Sequence, residues 1–180
     1  FNNLTKLSGD ALTLSGSSTV NGTLTLTGGN INTSSADMLV MGPDGAVSGG
    51  SGSSYVNGPL RHTENATDAG TKVFPFGSGT TYRPITLELT QADAVERSYT
   101  GSLTEGTAPS RTLPVGELVR VSGFRYYTIS QSPAASVTSA SVSIPYHADD
   151  LVDEGVTLRI AKSDGLGNWV NIGGTGSAPD

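Results

Sequence analysis

Leu12-Thr13-Leu14, Leu24-Thr25-Leu26 and Leu39-Val40-Met41 recur at near-regular spacing along the first third of the chain. Each triplet is followed, after a short polar stretch, by one aliphatic in a turn-like setting: Val20 before Asn21-Gly22, Ile31 between Asn30 and Asn32, and Val47 after Gly45-Ala46. Apolar residues at every second place are the mark of a strand with one buried face. Asn-Gly, Gly-Gly and Pro-Asp-Gly turns punctuate these strands. One such unit cannot shelter its apolar row, whereas stacked units cover one another. The spacing predicts a short β-solenoid, a β-helix-like segment, over residues 1–60. A meander of hairpins is the rival reading, because Asn21-Gly22 and Asp44-Gly45 also suit tight hairpin turns.

Beyond this stretch the pattern changes. Residues 49–58 read as a Gly/Ser linker followed by a strand, Pro59 blocks the ladder, and residues 61–71 are polar and loop-like. Strands are predicted over 72–76, 82–90, 98–103, 118–121, 125–130, 136–146, 156–162 and 168–172. Alternation is clearest in Ile85-Thr86-Leu87-Glu88-Leu89 and in Val156-Thr157-Leu158-Arg159-Ile160. Eight strands with one wet face each suit an antiparallel β-sandwich over residues 61–180. Ser163-Asp164-Gly165-Leu166-Gly167 reads as a hairpin tip, and residues 91–97 as the one short helix candidate. The fold class is therefore all-β, a solenoid-like segment followed by a sandwich.

Composition narrows function by exclusion. The 180 residues include 24 Gly and no Cys, and only 14% are charged. That excludes a disulfide scaffold, a coiled coil and a helical bundle. Ten Lys and Arg stand against 16 Asp and Glu, a net charge of −6. With no basic cluster, nucleic acid is not an expected partner. No apolar run is long enough for membrane insertion as a helix. Residues 1–60 carry four charges, Lys6, Asp10, Asp37 and Asp44, and the remaining 22 lie beyond them. The opening Phe1-Asn2-Asn3, with neither Met nor a signal segment, reads as a processed form or a fragment of something longer.

Chemistry-bearing motifs are sparse. His62 and His147 are the two histidines, and neither has a second one at metal-ligand spacing, so both read as loop or surface residues. Asp149, Asp150, Asp153 and Glu154 concentrate four carboxylates in residues 149–154, a candidate calcium loop without the alternating ligand spacing of one. Glu88 and Glu117 are the conceivable carboxylate pair, yet alternation places Glu88 on a wet face. No nucleophile elbow or phosphate loop is present, and the Ser- and Gly-rich stretches read as turns. Tyr126 and Tyr127 are neighbours on one strand and point to opposite faces. Trp169 follows a hairpin tip and reads as core in preference to a sugar-stacking platform. Thr23, Thr25 and Thr27 point one way, and the expected neighbouring rungs offer Thr13 and Ser15 but then Val40 and Met38, so a flat threonine array does not persist. Asn3, Asn21, Asn32 and Asn65 begin Asn-x-Ser/Thr sequons that a chain rich in Ser and Thr produces by chance. No catalytic, cofactor-binding or metal residue is nominated, and no cofactor is expected.

Several stretches together have a familiar look. They are Leu24-Thr25-Leu26-Thr27-Gly28-Gly29, Val47-Ser48-Gly49-Gly50, Tyr55-Val56-Asn57-Gly58-Pro59-Leu60-Arg61, Phe74-Pro75-Phe76-Gly77, Thr81-Tyr82-Arg83-Pro84-Ile85, Arg125-Tyr126-Tyr127-Thr128-Ile129 and Trp169-Val170-Asn171-Ile172-Gly173-Gly174. In order and spacing the chain resembles the repeat-rich stalks of large secreted and cell-surface proteins of Bacteroidetes-type bacteria. That resemblance implies an extracellular module strung between other domains and exported by the type IX route. The chain lacks the signal peptide and sorting domain of such proteins, which implies an internal or processed piece. The resemblance carries no catalytic residue. The expected function is a non-enzymatic structural or adhesive module, a stalk segment or filament subunit. Its expected partners are further copies of itself or neighbouring modules, since Leu4-Thr5-Lys6-Leu7 begins as an uncapped strand. The alternative is a carbohydrate-binding accessory module of a secreted enzyme, with a glycan ligand on an exposed Tyr or Trp.

Overall fold

A computed structural model describes residues 1–65, 69–134, 136–152, 158–174 and 176, with the side chain of Ala69 left aside. The protein is all-β, with several sheets and no α-helix among the described residues. Two compact units are distinguished. The first comprises residues 1–103 and 127–144, and the second residues 104–126 and 145–180.

The first unit opens with short strands: β1 (Leu4–Lys6), β2 (Leu12–Thr13), β3 (Ser18–Val20), β4 (Thr23–Leu26), β5 (Ile31–Asn32), β6 (Leu39–Met41), β7 (Ala46–Gly49), β8 (Val56–Asn57) and β9 (Leu60–Glu64). Each of the first six pairs in parallel with the third strand after it. β1, β4 and β7 form one sheet, in which Leu4 meets Leu24 and Leu24 meets Val47. β2, β5 and β8 form a second, joining Leu12 to Ile31 and Ile31 to Val56. β3, β6 and β9 form a third, joining Ser18 to Leu39 and Leu39 to Leu60. Parallel pairing between non-consecutive strands removes the hairpin meander as a description of residues 4–62.

The register corrects the reading of the leucine triplets. Leu12, Leu24 and Leu39 do not cover one another; they lie on β2, β4 and β6, one in each sheet. The recurrence along the sequence therefore measures steps from one sheet to the next, not between neighbours within a sheet. Inward-pointing Leu24, Leu26, Ile31, Leu39, Met41, Val56 and Leu60 are buried. Each contributes about 1.5–3 kcal/mol by leaving water. Turns between faces bring backbones together. Gly58 has a φ of 122°, and a Cβ there would collide with the Thr33 carbonyl oxygen.

Residues 60–64 also depart from expectation. They form β9, a strand, in place of the start of a polar loop, because Pro59 precedes the ladder and does not interrupt it. β9 pairs with β6 on one side and antiparallel with a later strand on the other. The chain continues as β10 (Ala69–Phe74), β11 (Gly77–Ser78), β12 (Thr81–Tyr82), β13 (Ile85–Gln91), β14 (Arg97–Glu105), β15 (Arg125–Ser132) and β16 (Val137–Ser143). β10, β13 and β16 make an antiparallel sheet, and β14 and β15 extend the sheet of β3, β6 and β9. This part is sandwich-like. Phe74, Ile85, Leu87 and Tyr99 are buried in one apolar cluster with the leucines of the first sheets. Gly101 leaves space for the Phe74 ring, which a Cβ would approach to 2.6 Å. Residues 91–97 are not helical; β13 runs to Gln91 and β14 resumes at Arg97 after a bend.

In the second unit, β17 (Ala161–Ser163) and β18 (Trp169–Asn171) pair antiparallel around the Gly-rich tip. Asp164 organises that tip by accepting from the backbone N–H of Leu166 at 2.7 Å and of Asn168 at 3.0 Å. A hydrogen bond from the Asn168 side chain above all, with these two backbone bonds, holds its carboxyl below the ordinary aspartate range. Residues 118–121 are not a strand, and Ala148–Asp150 form a short 3-10 turn. Of the predicted strand at 156–162, Val156 and Thr157 lie outside the described residues, and the strand shown begins at Ala161.

Candidate functional site

Alternation along β9 sends Leu60, His62 and Glu64 inward. His62 is therefore a buried core residue, 1% exposed, and not a loop histidine. Its Nε2–H donates to the Val73 carbonyl oxygen at 2.9 Å, and its ring stands edge-on to Phe74 with centroids 4.8 Å apart. With Nε2 donating, the proton sits there and Nδ1 is left unprotonated, without a hydrogen-bond partner. Burial above all, and the Lys72 charge secondarily, push the imidazole down to about 4, against the Val73 hydrogen bond that favours the cation. A sealed, neutral imidazole of this kind packs; it does not shuttle protons near neutrality.

Glu64, two positions on, forms an ion pair with Lys72 of β10, and both side chains are buried. Burial also lowers the Lys72 ammonium from its ordinary value, partly offset by the Asp44 carboxylate. Glu64 faces Arg97 across the β9–β14 ladder. Arg97 in turn donates to Gln91 and pairs with Asp93. These charges are structural: Glu64 and Lys72 compensate each other in the core, and the buried Arg97 reaches the exposed Asp93. A reading of the sequence alone passes over this row, although Leu60-His62-Glu64 and Lys72-Phe74 alternate as strands do.

Other candidates are brought no closer together. Glu88 is exposed on β13, where its Oε2 accepts from the Ser141 hydroxyl at 3.2 Å. It borders an open hollow of about 410 Å³ with Gly70, Thr71, Leu89 and Ser139, and contributes its one carboxylate. Glu117 belongs to the second unit. Asp150 pairs with the buried Arg125 through Oδ1 and accepts from the His147 backbone N–H through Oδ2 at 2.8 Å. Asp153 and Glu154 of the expected acidic loop lie outside the described residues. No cluster of three or more His, Asp or Glu suited to a metal occurs among the described residues. Trp169 is half-buried, and the Arg111 guanidinium lies 5.6 Å from its ring centroid, over a face a sugar would need. Tyr127 packs on the core and donates to the Arg83 carbonyl oxygen at 3.2 Å, while Tyr126 is half-buried.

What remains is an edge. β1, β2 and β3 each end a sheet, and on the outer side of β3 Phe1 donates to the Thr19 carbonyl oxygen at 2.6 Å and accepts from the Asn21 N–H at 2.9 Å. Leu12 is 39% exposed, whereas Ile31 and Val56 beside it are fully buried. Leu4 and Leu14 are likewise only half-buried, and Phe1 and Leu7 are exposed. The outward residues form short polar columns. Asn57 Nδ2 donates to Asn32 Oδ1 at 3.2 Å, and Asn32 Nδ2 donates to Thr13 Oγ1 at 3.3 Å. The neighbours of Thr25 are Thr5 and Ser48, not the Met38 and Val40 expected from the sequence. Such an edge offers unpaired backbone donors and acceptors to an added strand. No helix among the described residues is long and apolar enough to cross a membrane. Comparisons with protein families, with characterised proteins and with solved structures find no match.

Proposed function

We propose that this chain is a non-enzymatic structural or adhesive module of a secreted bacterial surface protein, serving in a stalk or extracellular filament. In this reading residues 1–60 are a short β-solenoid, joined to a sandwich that runs through residues 61–180. The parallel pairing of every third strand supports the solenoid, and the resemblance to repeat-rich surface stalks supports the location. The observation that carries the function is the set of strands with a ladder partner on one side only, β1 and β2 at the start of the parallel sheets and β15 and β16 in the antiparallel part. Beside β1 and β2, Leu12 is 39% exposed and Leu4 and Leu14 are half-buried. Strand addition to such an edge gives association through main-chain hydrogen bonds, with Leu4, Leu12 and Leu14 supplying apolar contact at β1 and β2.

Two measurements test this. Antibodies against the chain label intact cells of the source bacterium. The purified chain associates in a concentration-dependent way, and Thr5→Pro, which removes an N–H and stiffens the middle of β1, lowers that association at least tenfold. Labelling only after lysis rejects the location, and association indifferent to Thr5→Pro rejects the edge.

A further inference from the structure

Alternation along β9 turns Arg61 and Thr63 to the face opposite Leu60, His62 and Glu64. Across the ladder they meet Thr100 and Ser98 of β14. Arg61 is the one charged residue at the outward positions of β6, β9 and β14. Its Nε–H donates to Thr100 Oγ1 at 3.2 Å. That bond restrains the guanidinium and leaves its two terminal nitrogens without a partner among the described residues.

Arg61 lines an open hollow of about 390 Å³, within the ~300–1,000 Å³ of small-ligand sites. Pro43, Thr63, Ser98 and Ser132 line it too, with Glu96 just before β14. Two further charged residues border it, and both are engaged: Glu64 by Lys72, and Arg97 by Asp93 and Gln91. The charges left to a ligand are the half-buried Arg61 and the exposed Glu96. The hydroxyls of Thr63 and Ser98 donate to the carbonyl oxygens of Met41 at 3.0 Å and Ser132 at 3.4 Å. Their own lone pairs remain to accept from a ligand.

These groups select among ligands. A guanidinium with both terminal nitrogens free takes a carboxylate through two parallel hydrogen bonds. A sulfated or phosphorylated chain calls for several cations; the hollow offers one, and the Glu96 carboxylate repels a second negative charge. A neutral sugar would cover the guanidinium without pairing it, which is costly. A sugar acid meets every group: its carboxylate on Arg61, its ring hydroxyls donating to Glu96, Thr63 and Ser98, and its C–H face against Pro43. We propose that the hollow beside Arg61, on the outer face of β9 and β14, binds uronic-acid residues of an acidic polysaccharide. The site goes beyond the strand-edge reading and stands without it, and its ligand is held by an arginine in place of a Tyr or Trp platform.

Calorimetric titration with oligomers of galacturonate, glucuronate and mannuronate, each beside its methyl ester, tests the site. At least one free acid should bind, and its ester should bind about tenfold more weakly. Arg61→Met keeps the aliphatic stem and should remove the preference for the free acid. Arg61→Lys keeps the charge but not the fork, and should weaken the free acid about tenfold. Thr100→Val removes only the hydroxyl that restrains Arg61; it should weaken the free acid more than the ester, and it keeps the test open if Arg61→Met does not fold. No binding of any of the three acids at millimolar concentration would overturn the site, as would binding indifferent to esterification or to Arg61. A sulfated oligosaccharide bound as well as the best uronate would overturn the assignment of a single carboxylate. Trialanine bound in place of every uronate, and lost in both Arg61→Met and Glu96→Gln, would overturn the sugar in favour of a peptide.

Discussion

Lys72 and Glu64 form an ion pair in which both partners are shielded, their side chains 8% and 2% exposed. The pair joins β10 to β9, strands of different sheets. Two ions withdrawn from water are tolerated only while each compensates the other. Glu64→Ala or Lys72→Ala alone should destabilise the fold by about 3–5 kcal/mol. The double replacement Glu64→Leu with Lys72→Met should cost far less than the sum of the single effects. Urea unfolding of the four proteins gives the coupling. Additive losses would show that the pair is not the unit.

His62 makes stability depend on pH. In the folded chain its imidazole is pushed down to about 4, while in the unfolded chain it titrates near its ordinary value of 6.5. Below pH 6.5 the unfolded state takes up the proton and the folded state does not, so stability falls as pH drops from 6.5 toward 4. Below 4 both states are protonated and the contribution levels off. The loss across that window is of the order of 3 kcal/mol. His62→Phe should start less stable, having lost the bond to Val73, but its melting temperature should vary less between pH 7 and 5. Equal slopes in the two proteins would remove His62 as the cause.

Much of the first unit is legible in the sequence, and its limits have physical causes. The Leu-Thr-Leu pattern reveals strands because period two is a local property. It does not reveal which strands touch, since lateral register depends on turns whose lengths vary. Leu12 pairs with Ile31 and Ile31 with Val56, so successive layers of one sheet stand at unequal intervals along the chain. His62 and Glu64 look like loop residues because charge suggests water, and Lys72 reads as a strand start with no sign of a buried partner. Their burial becomes reasonable only when the partner strand supplies the opposite charge, which local reading does not see. The open edge is half-legible: Leu4-Thr5-Lys6 reads as an uncapped strand, while β2 and β3 ending beside it follow only from the pairing.

The turn at Gly58 is a sharper test of stacking. Its φ of 122° is unfavourable to any side chain, and the Thr33 carbonyl oxygen occupies the space a Cβ would need. Gly58→Ala should therefore destabilise by about 3 kcal/mol, more than strain or crowding alone. Gly79→Ala, where a Cβ meets nothing within 4 Å at a φ of 58°, isolates the backbone term and should cost about 1 kcal/mol. Equal losses at the two sites would mean that the close approach to Thr33 contributes nothing.

Asp150 has its carboxylate occupied by Arg125 and by the His147 N–H. A calcium ion would have to displace both. Neither millimolar calcium nor a chelator should move the melting temperature, whereas Arg125→Met should lower it by leaving Asp150 uncompensated. A rise in melting temperature with calcium would restore the acidic segment as a metal site.

β9 belongs to two kinds of pairing at once, parallel to β6 and antiparallel to β14. Neither neighbourhood can come apart without stripping the same strand, Leu60–Glu64. Heat should therefore dissolve residues 1–64 and the antiparallel strands bonded to them in a single cooperative event, with β9 amides the last to trade their hydrogens for deuterium. The strand is a splice: damage on either flank is felt on the other.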